Sequence, residues 1–472
     1  VTSCHQKVQE GKVQFKVTWA MLLFLTFVMT GCHSDDQKTA VFAKDAYPST
    51  YEHPATSPVL LQHATIYTGN GGFIEKGFVL LQDGRIVHVG ANRPHLPART
   101  RIIEAMGRFV TPGLIDPHSH LGDYPSPEVE AHQDGNEMSD ANTAQVRAEH
   151  GIWPQDPGFH RAREGGVTTL AVLPGSANLF GGWTAVLRNV PSRTVQGMKF
   201  PGAAAGMKMA CGENPKRVYG QRKQFPMTRM GNMAGFREAL IQAQGYVQRW
   251  RSWQKPESQG SPPERNLKLE SLGRLLQGEM AAQVHCYRAD EMAQMLDLAQ
   301  EFDFRIAAFH HATEAYKVAD LLARHDVCAV VWADWWGFKL EAWDGIRENA
   351  ALLQAQGACV ALHSDDPYGI QRLNQEMAKA WAAGHRLGLE VTRAQAMAWI
   401  TLNPARVLGI AQQTGSLEKG KRADVVLWSG DPFSVYSLVD QVYIDGALVH
   451  ARPEGPAVSD FELGTVMKGG PT

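Results

Sequence analysis

Residues 111–410 alternate short apolar runs with helix-periodic stretches, and this alternation constrains the fold more than any other feature. Strand-like runs fall at 167–173, 207–211, 283–287, 305–309, 327–332 and 358–362. Helical spacing of apolar residues occupies 233–249, 289–301, 314–324 and 392–402. Repeated strand–helix units need parallel strands joined by helical crossovers. They predict an α/β fold of the TIM (β/α)8 type, distorted, with its functional groups at the C-terminal ends of the strands. Between two of these units, residues 251–273 carry Pro256, Gly260, Pro262 and Pro263 and read as a surface insertion. A chain of 472 residues suits one such barrel, here 111–413, plus a smaller module.

The flanks differ in kind. Residues 57–110 place strand-like runs around Thr68-Gly69-Asn70-Gly71 and Gln82-Asp83-Gly84, which are hairpin signals. A second β-rich stretch, 414–455, contains Val425-Val426-Leu427-Trp428 and Val442-Tyr443-Ile444. Two β-rich segments around a mixed centre imply a small discontinuous β-sandwich domain built from both ends, followed by a tail at 456–472. At the start, Lys7, Lys12 and Lys16 precede an apolar run at 17–29. That run is shorter than the roughly 20 residues of a spanning helix and has the layout of a signal peptide, 1–32. It ends in Met29-Thr30-Gly31-Cys32, which resembles a bacterial lipobox in which Cys32 takes the lipid. Residues 33–56 then read as a tether. The expectation is an exported chain anchored in the membrane by lipid on the periplasmic side of a bacterial envelope. His33 after the cysteine favours the outer membrane.

A formal net charge of −2 offers no basic surplus for nucleic acid. Of the six cysteines, Cys211, Cys286, Cys328 and Cys359 lie in or at the ends of strand-like runs; an oxidising compartment would permit disulfides, but these four are expected to be buried free thiols or, for Cys286, a neighbour of a metal ligand. No close pair suggests a thiolate zinc site.

The chemistry concentrates at the strand ends. In Asp116-Pro117-His118-Ser119-His120, an extended backbone puts His118 and His120 on one side, where both rings can reach one metal. With 18 His in the chain, about one His-x-His arises by chance, so context has to carry the motif. The context is a series of polar clusters, each just past an apolar run: His285, the pair His310-His311, and His363-Ser364-Asp365-Asp366. Barrel strand ends converge on one pocket, and a metal site needs such convergence.

This order of residues resembles the amidohydrolase superfamily, in its imidazolonepropionase-like and prolidase-like branch. The resemblance extends over about residues 57–452. It includes the lead-in Thr111-Pro112-Gly113-Leu114-Ile115-Asp116, the stretch Thr401-Leu402-Asn403-Pro404-Ala405-Arg406, and the return Gly415-Ser416-Leu417-Glu418-Lys419-Gly420-Lys421-Arg422-Ala423-Asp424. The resemblance implies one or two divalent metal ions, Zn²⁺ foremost and Mn²⁺, Fe²⁺ or Co²⁺ otherwise. His118 and His120 would bind one, and His285 and His311 a second or the same one. His311 is preferred to His310 because the Thr313-Glu314-Ala315-Tyr316 that follows fits the branch pattern. The bridging ligand would be Glu213, with Lys208, carboxylated in some relatives, as the rival. Asp365 would be the general base, taking a proton from a water whose pKa the metal lowers from about 15.7 to about 7. The implied reaction is hydrolysis of a C–N bond in a small-molecule amide, cyclic amide or dipeptide. Deaminases of the superfamily place a glutamate a few residues past the third histidine. Here Glu291 comes six residues after His285 and disfavours that alternative. A non-catalytic lipid-anchored binding protein is the other alternative, and the complete ligand set argues against it. Arg288, Asn178 and Tyr219 are candidate substrate contacts. Trp332-Ala333-Asp334-Trp335-Trp336 is either an aromatic wall or plain loop packing. Substrate identity and oligomeric state stay open at this level.

Overall fold

The computed structural model describes residues 41–42 and 46–453. The expected signal peptide, the expected lipobox with Cys32 and the tail at 456–472 lie outside the described residues. The chain has a mixed α/β fold. Its flanks meet in one eight-stranded sheet, ordered Ala447–Ala451, Val439–Ile444, Val425–Trp428, Phe109–Pro112, Val59–Tyr67, Phe73–Gln82 and Arg85–Gly90, with Arg101–Glu104 paired to Val59–Tyr67. The two ends join where Phe109–Pro112 and Val425–Trp428 run antiparallel, Val425 opposite Pro112 and Trp428 opposite Phe109. Strand alternation explains why this seam unites the molecule. Val425 and Leu427 enter the core of the flanking sheet, and Val426 and Trp428 enter the core of the central part.

In the central part, Gly206–Ala210, Ala281–Cys286, Ile306–His311, Cys328–Val331 and Val360–Leu362 form a parallel run, edged by the antiparallel Phe180–Trp183. Leu114–Ser119 and Val167–Val172 form a second parallel pair, extended by the antiparallel Ala185–Arg188. The two sheets approach each other where Asp365 N–H donates to His118 O at 3.2 Å. Helices follow the strands, among them Ala289–Phe302, Asn349–Ala355 and Leu373–Arg386. The 25-residue helix Arg229–Trp253 is about 37 Å long, and the Thr228 hydroxyl caps it by accepting from Gly231 N at 3.0 Å.

A buried ion cluster ties the central part to the flanking sheet. Arg188 donates to both oxygens of Asp424, at 2.7 and 2.5 Å, and lies 3.0 Å from Asp445. Arg422 and Tyr51 complete Asp445, and Thr414 completes Asp424. The carboxylates push the Arg188 pKa up despite burial, and Arg188 holds Asp424 below the ordinary range against its own burial.

Two sequence expectations are corrected and one is refined. The described part of the 33–56 stretch is docked rather than a free tether: Thr50 N–H donates to Gln196 O at 2.9 Å, and Val41 and Phe42 pack on Tyr246 and Val247. The 251–273 stretch is mostly irregular, but its ends belong to the helices Arg229–Trp253 and Leu267–Leu276. The four cysteines are not free thiols, because Cys211 bonds to Cys286 and Cys328 to Cys359. They are 75 and 31 residues apart in sequence, yet each pair sits in or next to the end of neighbouring parallel strands, a proximity that spacing along the chain does not reveal.

Candidate active site

His118, His285 and His311 arrive at one cavity from three strands, joined by His120 and Asp365 from the segments just beyond two strand ends. The cavity measures about 320 Å³. Asp116 buttresses its floor: it accepts from His118 N at 3.0 Å and from the Ser364 hydroxyl, so the first strand and the Asp365 segment are held together. Burial pushes the Asp116 carboxyl up to about 7, against those hydrogen bonds. His311 and Asp365 have left-handed backbones, with φ of 69° and 52°. Non-glycine residues adopt that conformation at a cost, and such strain clusters at functional positions. At His311 it breaks strand alternation, so the consecutive His310 and His311 both serve the site.

The hydrogen bonds fix which nitrogens are free. The Gln283 amide donates to Val407 O at 3.3 Å, which aims its Oε1 at His310. His310 then donates from Nε2 to Gln283 Oε1 at 2.7 Å and accepts at Nδ1 from His118 Nδ1–H at 2.9 Å. This leaves His118 Nε2 as a lone pair. His120 donates from Nδ1 to Leu173 O at 2.7 Å, which leaves its Nε2 as a lone pair too. Both lone pairs face Asp365 Oδ1, at 3.6 and 3.1 Å, and His311 Nδ1 lies 3.8 Å from Oδ2. The Nδ1 atoms of His285 and His311 and both ring nitrogens of His363 are buried without a hydrogen-bond partner. Buried ring nitrogens without a partner are costly, and of these acceptors only His118 Nε2 has a positive group, Lys208 Nζ at 3.4 Å, near it. The same donor set suits a divalent cation of the zinc type. Two groups, His118 with His311 and His363, and His118 with His120 and Asp365, each have ligand atoms within 4.8 Å of one another.

The electrostatics agree with neutral ligands. Burial drives the pKa values of His118, His285, His310 and His311 well below the ordinary value, and positive neighbours, Lys208 among them, push the same way. Burial takes His363 down to about 4. Burial would raise Asp365, but positive neighbours, Lys208 among them, outweigh it and hold the carboxyl below its usual value.

Both candidates for the bridging position, Lys208 and Glu213, line the cavity. Lys208 is only 1% exposed, and its Nζ lies 3.4 Å from His118 Nε2. Burial pulls its pKa down to about 8. Glu213 lines the cavity wall but belongs to neither group of candidate ligands among the described residues. Gly212, with φ of 81°, turns the chain out of the strand, so Glu213 begins a helix instead of extending toward the histidines.

The expected substrate contacts are placed elsewhere. Arg288 pairs with Asp290 at 2.9 and 2.8 Å, and Tyr219 donates to Asn178 at 2.5 Å in the core. None of the three lines the cavity, which is reached by Asn214, Arg217, Tyr287, Phe338 and Lys339 instead. Trp332 stacks on His311 at 4.5 Å and donates to Ser364 O at 3.1 Å, so it supports the site from behind. Sequence reasoning assigned no role to His363 or Gln283. Each lies two residues before a singled-out group, Asp365 and His285, and that spacing was the available signal.

The C-terminal part of the chain, residues 307–450, matches the model of an amidohydrolase family. An amidohydrolase from Thermotoga maritima is 36% identical, superposes with a TM-score of 0.77, and matches 84% of this chain and 100% of its own. An amidohydrolase from Hapsidospora irregularis is 34% identical over 445 residues, 85% of this chain; the chain spans only 45% of that relative's length. An imidazolonepropionase from Sphingopyxis alaskensis is 23% identical over 407 residues, 78% of this chain and 90% of that protein. The chain belongs to the amidohydrolase family.

Proposed function

We propose that the chain is a metal-dependent hydrolase of a C–N bond in a small amide, cyclic amide or dipeptide. The observation that carries this reading is the pair of outward-fixed tautomers at His118 and His120, whose Nε2 lone pairs converge on Asp365. His118, His120, His311 and His363 would hold one or two divalent ions, with His285 completing the set and Lys208 ahead of Glu213 as the bridge. We further read the parallel strands as staves of a distorted barrel with this site at its mouth.

When bound, a divalent cation supplies Lewis acidity, which polarises the scissile carbonyl and makes water a competent nucleophile at neutral pH. The chain's own groups do the rest. Asp365, kept ionised, accepts the proton of the attacking water and delivers it to the departing nitrogen. The Gln283–His310 pair holds His118 in one tautomer, as an outer partner does for a ligating imidazole. Phe338 and Tyr287 wall the cavity, and Arg217 and Lys339 give it a positive rim.

The test is an amide and dipeptide panel assayed before and after chelation. Hydrolysis that disappears with the metal and returns on adding Zn²⁺, Mn²⁺ or Co²⁺ is expected. Hydrolysis untouched by complete chelation contradicts the reading, and ammonia release without a new carboxylate would point to deamination. Export and lipidation at Cys32 are part of the same proposal. A mature chain whose mass matches an unlipidated Cys32 would remove them.

A further inference from the structure

From the geometry around Cys211 and Cys286, we infer that their disulfide is a positioning device for the metal site, so that the site reaches full affinity only in the oxidised chain. This rests on the metal-dependent reading above. Cys211 directly follows the strand Gly206–Ala210 that carries Lys208, and Cys286 directly follows His285. Their Cα atoms are 5.3 Å apart, and both side chains are buried, at 3% and 0% exposure. The last registered pair between the two strands is Ala210 with His285, and Cys211 N–H donates to His285 O at 2.9 Å. Immediately beyond, Gly212 turns the chain away. The sulfur bridge therefore sits where sheet hydrogen bonding stops and the site begins. It fixes the point at which the turn leaves the strand, and with it Asn214, whose Nδ2 lies 3.4 Å from His285 Nε2. Ligands must be held to within about 0.5 Å to bind a metal well, and His285 has no hydrogen bond on its buried Nδ1 to orient it.

The other disulfide provides a contrast within one molecule. Cys328 begins its strand and Cys359 precedes Val360–Leu362, so that bridge lies at the opposite ends of the strands, away from the histidines. Cys359 lines a separate cavity there with Asn403 and Arg406.

The bridge forms by thiol–disulfide exchange: two protein thiols give two electrons and two protons to an oxidant disulfide, which leaves as its dithiol. Such exchange is available in an oxidising compartment. Burial of both sulfurs makes the bridge a permanent part of the folded site rather than a readily reversed one.

The experiment titrates cobalt into the metal-free full chain and follows the visible spectrum of the bound ion, in wild type, Cys211→Ser/Cys286→Ser and Cys328→Ser/Cys359→Ser. Alkylation of the unfolded, unreduced wild type should find none of these four thiols free. Cobalt affinity should fall at least tenfold, with an altered spectrum, in the first double variant, and stay within twofold in the second. Equal affinity in wild type and the first variant overturns the inference, as do free thiols at 211 and 286 or equal losses in both variants. Should the first variant fail to fold, wild type reduced by a phosphine in mild denaturant and then returned to buffer replaces it. There the phosphine takes up oxygen from water as the disulfide becomes two thiols, and unchanged affinity is again fatal. A wild type that binds no cobalt at all removes the metal-dependent reading itself, which separates the two failures.

Discussion

Two buried polar clusters in this molecule are built from similar materials and end in opposite states. Around Arg188, a guanidinium and the carboxylates of Asp424 and Asp445 are charge-paired, and Thr414, Tyr51 and Arg422 supply further hydrogen bonds. Around Asp365, four histidines and a lysine crowd one carboxylate, and several ring nitrogens have no partner. The first cluster is charge-paired within the chain, with Arg188 Nε its one buried donor lacking an acceptor, and joins the flanking sheet to the central strands. The second keeps buried ring nitrogens of His285, His311 and His363 without a partner despite the lysine beside it. Folding tolerates the second because the surrounding contacts over-determine it: Asp116 ties two segments, Gln283 and His310 orient His118, and Trp332 backs His311.

The largest expected effect breaks the site without touching the structural cluster. Asp365→Asn should lower hydrolysis by about 10²–10⁴-fold while metal content and melting temperature hold, as read by initial rates beside elemental analysis. Loss of metal in that variant would make Asp365 a ligand first and a base second. The reciprocal change, Arg188→Met, leaves the buried Asp424 without its cation, while Asp445 keeps Arg422, and should destabilise the fold by about 3–5 kcal/mol in denaturant unfolding. A loss below about 1 kcal/mol would mean that water reaches the cluster. Gln283→Leu sharpens the comparison. It removes the acceptor for His310, frees the His118 tautomer, and should weaken metal binding by about 10–100-fold with little change in unfolding. Unchanged affinity would show that the relay is only packing.

The smallest effect is a pH dependence. In the metal-free chain, His118, His285, His310, His311 and His363 all have depressed values. Their contribution to stability is present above the unfolded value of about 6.5 and is lost as pH falls, down through about 4 for His363. The unfolded chain takes up protons in that window while the folded one resists. Melting temperature should therefore drop by several degrees between pH 7 and pH 5. A flat profile there would mean that the histidines are already charged or reachable by solvent.

The sequence shows the site's outline because its main members obey local rules. His118 and His120 are spaced to share a side of an extended segment, and His285 and Asp365 each close an apolar run. What was not legible depends on which strands become neighbours. Neither disulfide can be read without the parallel register that sets Ala210 beside His285 and Ala329 beside Val360. The choice between Glu213 and Lys208 is not legible locally, since Gly212 turns the chain so that Glu213 opens a helix while Lys208 stays in the strand. A lysine centred in Gly206-Met207-Lys208-Met209-Ala210 was itself a signal, because a charge in a fully buried strand has to have a use. The roles of Gln283 and His310 as outer partners of His118 come into view only once the rings are placed, although spacing marks Gln283 and the His310-His311 pair marks His310.

The most direct test of the central claim is the metal content of the purified chain by elemental analysis, beside a His118→Ala control. The account predicts one or two transition-metal ions per chain, lost or sharply reduced in the control. An empty wild-type chain after metal supplementation, or a control that keeps the full complement, would contradict it.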